Sequence, residues 1–321
     1  MNRPGSKITS HRSHVPSAIG WHGIYLEPPS GWDLAQVSGD MVQGQIRVDG
    51  PTNQHIRVRW KREKRKPNID RILDRYLKDL EKASRKKKTA FERSVDLNLP
   101  VHTEKGKRKP VFFSWRSKEQ AIGLIWWCEI CKRITIAQVD GPLERNLTPV
   151  AIQILGTLDD HAVDGVHTWA AYGLSVEIPD DFTLMSSKLL SGYIDIRFTR
   201  RRSSIVVDRW GLADVALRSQ NLKDWILAHY QRTLEKYRYE VRESIVRGHP
   251  GIEITGAVKG IRERMRAAAL GQIRLEAASQ LTQYAWQCPD TNRICTVVVL
   301  HTASEPGLAE EVAASFACHT M

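Results

Sequence analysis

Apolar side chains recur along this chain at two spacings, every second residue and every third or fourth, and the two spacings alternate in the same order twice. In the first half, Ile24 and Leu26 alternate with polar neighbours up to a turn at Pro28, Pro29, Ser30 and Gly31. Residues 44–49 (GQIRVD) and 56–60 (IRVRW) follow, joined through a turn at 50–53 (GPTN). Strict alternation predicts strands, the second with its apolar side chains on one face and its arginines on the other. Ile69, Ile72, Leu73, Tyr76, Leu77 and Leu80 then fall at helical spacing, which predicts an amphipathic helix over 69–82. Residues 111–115 (VFFSW) and 121–128 (AIGLIWWC) are apolar runs of strand length and read as buried strands. Residues 133–137 (RITIA) complete a hairpin with the latter, and a helix near 149–160 closes the half.

The second half restates these features. At a constant offset of 150, Gly23, Pro29, Trp32, Leu34, Arg59 and Trp60 match Gly173, Pro179, Phe182, Leu184, Arg209 and Trp210. At an offset of 160, Trp126, Cys128, Arg133 and Ile134 match Trp286, Cys288, Arg293 and Ile294. The central helix is expected over about 222–237, where Leu222, Trp225, Ile226, Tyr230, Leu234 and Tyr237 form the stripe and Asn221 suits the N-cap. A closing helix is expected near 307–318, and residues 260–272 depart from the first copy as an inserted helical turn with a basic side. A repeat of this kind implies one domain duplicated, and 321 residues are about right for two cores of roughly 150. The expected division is a basic tail over 1–19, a first copy over 20–161, a linker over 162–169 and a second copy over 170–321.

Hairpins covered by two helices predict an α+β class, as two tandem antiparallel-sheet sandwiches. The opening strand ending in Pro-x-x-Trp or Pro-x-x-Phe, the long central helix, the later hairpin and the closing helix resemble the Mog1/PsbP-like fold, across about 20–161 and 170–319. That group holds binding proteins, chaperones and photosystem accessory subunits, so the resemblance implies a binding role and transfers no site residue.

Charge sharpens the picture. The chain carries a formal net charge of +12. Residues 59–118 alone hold 21 Lys and Arg against 8 Asp and Glu, which accounts for the whole excess. So local an imbalance is the footprint of a polyanion contact. The candidate contacts are Lys61, Arg62, Lys64, Arg65 and Lys66 after a strand, Arg85, Lys86, Lys87 and Lys88 after a helix, and Lys105, Lys107, Arg108 and Lys109 in a loop. Arg200, Arg201 and Arg202 form a turn in the second copy. Aromatic residues are sparse among them, so phosphate contacts rather than base stacking are expected. The reading is a non-enzymatic cytoplasmic protein docking on RNA or a ribonucleoprotein, the ribosome included. The alternatives are an acidic protein partner, or an adaptor or chaperone role of the Mog1/PsbP-like kind. No apolar run approaches the roughly 20 residues of a membrane helix, and no catalytic or cofactor motif is present.

Five cysteines, Cys128, Cys131, Cys288, Cys295 and Cys318, do not suggest a secreted disulfide framework. Cys128 and Cys131 form a CxxC, half of a zinc or redox motif. No further ligands stand nearby and the second copy lacks Cys131's counterpart, so buried structural thiols are expected and no metal or cofactor. His161 and His319 close equivalent helices and read as C-terminal dipole caps. Arg59, Arg209, Arg133 and Arg293 recur in both copies and read as cross-sheet ion pairs or anion contacts.

Overall fold

The computed structural model describes residues 17–101, 108–260 and 279–319. The chain divides into two compact units, one running from Val15 to Gly173 and the other from Leu174 onward.

In the first unit a short hairpin, β1 (Ile19–Trp21) and β2 (Ile24–Leu26), precedes β3 (Asp33–Gly39), β4 (Gln43–Asp49) and β5 (His55–Arg62). Ile56, Val58 and Trp60 of β5 are buried, as the alternation requires. Helix α1 (Ile69–Lys86) starts at Asn68, whose side chain accepts a hydrogen bond from the Arg71 N–H at 2.8 Å. It extends one turn past the predicted end, where Arg85 and Lys86 suit the C-terminal end of the helix dipole. β6 (Glu92–Val95), β7 (Val111–Arg116), β8 (Glu119–Trp127), β9 (Arg133–Pro142), helix α2 (Thr148–Thr157) and β10 (Val166–Ala171) complete the unit.

Seven strands form one antiparallel sheet in the order β3-β4-β5-β9-β8-β7-β6. Leu73 and Leu77 of α1 pack on Phe113, Trp115, Ala121, Ile125, Trp127 and Ile134. Trp126 alternates to the opposite face, where α2 lies on β8 and β9. Coverage on both faces explains why β8 reads as an unbroken apolar run. β10 takes up the second half of the stretch read as a linker and pairs with β1 through Gly20 and Ala170. A side chain at Gly20 would stand 2.4 Å from the Thr168 carbonyl, so only glycine permits that approach.

The second unit holds β11 (Leu174–Pro179), β12 (Thr183–Leu190), β13 (Tyr193–Arg200) and β14 (Ser203–Gly211). Short helices α3 (Ala213–Ala216), α4 (Leu222–His229) and α5 (Gln231–Leu234) follow. Then come β15 (Tyr237–Val246), β16 (His249–Val258), β17 (Gln280–Cys288), β18 (Arg293–His301) and helix α6 (Leu308–Ser315). Its sheet, β12-β13-β14-β18-β17-β16-β15, repeats the first position for position. The single helix expected over 222–237 is broken. The Tyr230 hydroxyl donates to Asp208 Oδ2 at 2.5 Å and meets Thr296 Oγ1 at 2.8 Å, which ties the chain to the sheet between α4 and α5. Asn221 does cap α4, accepting from the Asp224 N–H at 2.9 Å. The protein is thus a sheet-rich α+β structure. Among the described residues no helix is long and apolar enough to cross a membrane. The expected tail and the expected helical turn near 260–272 fall almost wholly outside the described residues.

Candidate metal centre

In the second unit the tight turn Arg247–Gly248, with φ of 54° and 80°, reverses the chain so that His249 opens β16. The register Gly251↔Trp286 sets His249 opposite Cys288, the last residue of β17. After α6 the chain turns back across the end of the sheet. Phe316 packs edge-on against Trp286 at 4.9 Å, and Ala317 donates to the Ser175 carbonyl at 2.8 Å. That path delivers Cys318 and His319 to the same point. His319 Nδ1 lies 3.3 Å from Cys288 Sγ, 3.3 Å from Cys318 Sγ and 3.3 Å from His249 Nε2. His249 Nε2 is 3.5 Å from Cys318 Sγ, and all four donor atoms fall within 4.8 Å of one another.

A tetrahedral ion with Zn–N of about 2.05 Å and Zn–S of about 2.3 Å requires edges of about 3.4 Å for N···N and about 3.6 Å for N···S. The four separations given, 3.3–3.5 Å, lie within about 0.3 Å of those edges, and the other pairs stay within 4.8 Å. His249, Cys288 and Cys318 are buried and His319 is half-buried, so two thiolates would neutralise a divalent ion where an unpaired charge could not stand. Cys295 first, then the neighbouring Trp286, His319 and Cys288, hold the Cys318 thiol well below its ordinary range, against the opposing effect of burial. The Thr291 amide points at Cys288 Sγ, as the Cys131 amide points at Cys128 Sγ in the first unit.

The first unit builds the same frame with different donors. Cys128, Cys131, Asp160 and His161 also fall within 4.8 Å of one another. His161 Nδ1 is 3.6 Å from Cys128 Sγ and 3.0 Å from Asp160 Oδ1. Asp160 Oδ2 accepts from Trp126 Nε1 at 2.6 Å and Thr135 Oγ1 at 3.2 Å. Arg108 enters this centre: its Nη2 is 2.9 Å from Asp160 Oδ1 and 2.7 Å from His161 Nδ1, and its Nη1 donates to Asp159 Oδ1 at 3.0 Å. The Asp160 hydrogen bond, then that of Cys128, raises His161 to about 9. Although burial opposes it, bonds from His161, Arg108 and Trp126 hold the Asp160 carboxyl below the usual range.

These positions correct several expectations. His161 and His319 are not helix caps, because α2 ends at Thr157 and α6 at Ser315, so both histidines reach past the helices into the clusters. The CxxC does straddle a hairpin turn, but its thiols are joined by a histidine and a carboxylate from beyond α2. Arg108 is not a surface phosphate contact: its side chain is 2% exposed and is held by two aspartates. Arg200 is likewise engaged, bonding Asp181 at 2.7 Å and Glu305, over the ring of Phe182. Arg133 is neither an ion pair nor an anion contact. It is buried, and its hydrogen bonds go to the carbonyls of His22, Met41 and Asp160.

The remaining basic candidates do not form one patch. Lys61 and Arg62 end β5, with Lys61 2.8 Å from Glu63, and Lys64, Arg65 and Lys66 are exposed just beyond. Arg85 bonds Glu81 at 2.7 Å, and Lys86, Lys87 and Lys88 are exposed at the far end of α1, roughly 27 Å away along an 18-residue helix. Lys109, Arg201 and Arg202 are exposed, while Lys105 and Lys107 lie outside the described residues. No model of a known protein family matches the chain, and no curated protein is significantly similar to it.

Proposed function

We propose that the protein is a metal-binding, non-enzymatic protein whose second unit holds one Zn(II)-class ion on His249, Cys288, Cys318 and His319. The observation that carries this reading is the match between the four donors' separations and the edges of a tetrahedral N2S2 site. Four protein donors leave no open position for water or substrate, so the ion acts as a structural staple. Two soft sulfurs and two imidazoles in a tetrahedron select zinc over calcium, magnesium or manganese. The staple joins the turn ends of the β15–β16 and β17–β18 hairpins to the segment after α6. We also read the two units as copies of one domain, since both sheets follow one strand order.

Metal analysis of the purified full chain, with Co(II) exchanged in as a spectroscopic probe, tests the site. Stoichiometric zinc, with visible absorption of tetrahedral thiolate-bound Co(II) that disappears in His249→Ala and Cys318→Ala, is expected. A folded chain without bound metal, or a Co(II) spectrum indifferent to both substitutions, would refute the reading.

A second reading concerns the first unit. The exposed Lys64, Arg65 and Lys66, and Lys86, Lys87 and Lys88 at the other end of α1, favour contacts with a polyanion such as RNA or a ribonucleoprotein. Binding of a structured RNA that weakens steeply with salt is expected. Affinity insensitive to salt would remove it.

A further inference from the structure

The two centres share one plan, and the differences between them are concerted. A cysteine ends the inner strand of a hairpin, Cys128 in one unit and Cys288 in the other. The register Val111↔Ile125 places Arg108 opposite Cys128, as Gly251↔Trp286 places His249 opposite Cys288. Behind the closing helix stand Asp160 and His161 in one unit, Cys318 and His319 in the other. Relative to the second centre, the first has arginine for histidine and aspartate for cysteine. The first exchange puts a cation in place of a ligand, and the second keeps an anionic donor. Together they make a salt bridge.

We propose that the Arg108 guanidinium takes the place of the metal ion in the first centre, so that the chain binds one ion and the first unit closes its sheet without one. The proposal rests on reading the second centre as a metal site. Arg108 Nη2 stands between two of the donors an ion would need, 2.9 Å from Asp160 Oδ1 and 2.7 Å from His161 Nδ1. The guanidinium only donates and stays charged. Its Nη2 therefore takes the Asp160 lone pair on which a metal would depend and stands against His161 Nδ1, and its charge repels a divalent ion from the same space. Its second arm reaches Asp159, and its plane lies 5.0 Å from the ring centre of Trp126. A carboxylate matches the guanidinium fork better than a thiolate does, which accounts for Asp160 standing where the second unit has Cys318. With the arginine gone, Cys128, Cys131, Asp160 and His161 would be left as four donors within 4.8 Å of one another, with no cation among them.

Arg108→His removes the guanidinium and puts there the donor that the second centre has in His249, and metal content of the full chain reads the result. One equivalent of zinc or Co(II) in the parent protein and two in Arg108→His are expected. In a Cys288→Ser, Cys318→Ser background the same substitution should raise the content from none to one. Two equivalents in the parent, one of them lost in Cys128→Ser, would overturn the proposal. So would an Arg108→His chain that keeps its circular dichroism spectrum and still binds one. A second measurement needs no variant: thiol alkylation mapped by mass spectrometry, with and without a zinc chelator. Chelation should raise labelling of Cys288 and Cys318 by at least tenfold and leave Cys128 and Cys131 unchanged; a rise at all four would refute the arginine's role. Loss of metal in Cys318→Ala concerns the second centre alone, so the two readings fail separately.

Discussion

Arg133 is heavily engaged in the first unit, and its removal should be correspondingly expensive. It opens β9 and is 1% exposed. Nη1 donates to the His22 carbonyl at 2.7 Å and to that of Asp160 at 3.1 Å, while Nε and Nη2 both reach the Met41 carbonyl, at 3.1 and 2.6 Å. One side chain thus pins the β1–β2 turn, the β3–β4 turn and the segment that carries Asp160 and His161. Gly23 admits it, because a Cβ there would lie 3.1 Å from Nη1. Substituting methionine keeps the length and removes every donor. Three carbonyls then lose their partners, at about 1–3 kcal/mol each where they stay dry. Relief from burying a guanidinium returns part of that, and the net cost expected is about 3–5 kcal/mol. Arg133→Lys keeps the charge but not the fork, so it should fall between the two.

Urea denaturation followed by peptide-resolved hydrogen exchange separates this from a general loss of stability. In Arg133→Met, amides around 22–25, 40–43 and 159–161 should exchange on the order of a hundred- to a thousandfold faster, with the second unit unchanged. A cost below about 1 kcal/mol, or faster exchange spread evenly over both units, would show that the carbonyls find other partners and that Arg133 is not the tie described.

Acid should loosen the first unit through two histidines. Burial first, then the charge of Arg133, lowers His22 and His167 to about 4 each. Both are neutral in the fold and protonate more readily when unfolded. Their contribution is therefore complete above pH 6.5 and is lost as pH falls through 4, by about 3 kcal/mol apiece. His167→Gln should roughly halve that loss in urea titrations across pH 7 to 4, and an unchanged slope would count against the assignment. Asp140 has the opposite sign. Burial raises it to about 6 despite Arg57, so its charged form is the disfavoured one and stability falls as pH rises from about 4 through 6. Asp140→Asn should stabilise the unit by about 2 kcal/mol at pH 8 and give no gain at pH 4; a loss at both would mean that the Arg57 contact dominates. For the basic loop, changing Lys64, Arg65 and Lys66 together to glutamine should leave stability within about 0.5 kcal/mol and lower the slope of log K against log salt for RNA by about 2. A large loss of stability would make these residues structural instead.

Local pattern carried much of the fold. The alternation of Ile56, Val58 and Trp60 and the stripe through Leu73 and Leu77 lie in β5 and α1, and the CxxC falls on the turn between β8 and β9. Where tertiary contacts override propensity the pattern failed. Tyr230 has helical spacing, yet its hydroxyl belongs to a buried group with Asp208 and Thr296, so the helix stops there. Residues 166–169 read as the end of a linker because Gly165 and polar residues interrupt the pattern there, whereas pairing with β1 makes them part of strand β10.

The centres were hidden for a different reason. A local ligand motif is visible only when the ligands are close in sequence, and here they are not. His249, Cys288 and Cys318 are separated by 39 and 30 positions and meet because strand register and the chain's return after α6 bring them together. The one local motif, Cys128 and Cys131, stands in the unit where Arg108 already supplies the positive charge. The signal that could have exposed the second centre was the repeat itself. Aligned on α2 and α6, Asp160 and His161 fall on Cys318 and His319, so a histidine recurs beside a residue that exchanges carboxylate for thiolate. Both are anionic donors, and that exchange makes sense only opposite a cation. In the second unit we read that cation as a bound metal ion. In the first, the cation is a side chain.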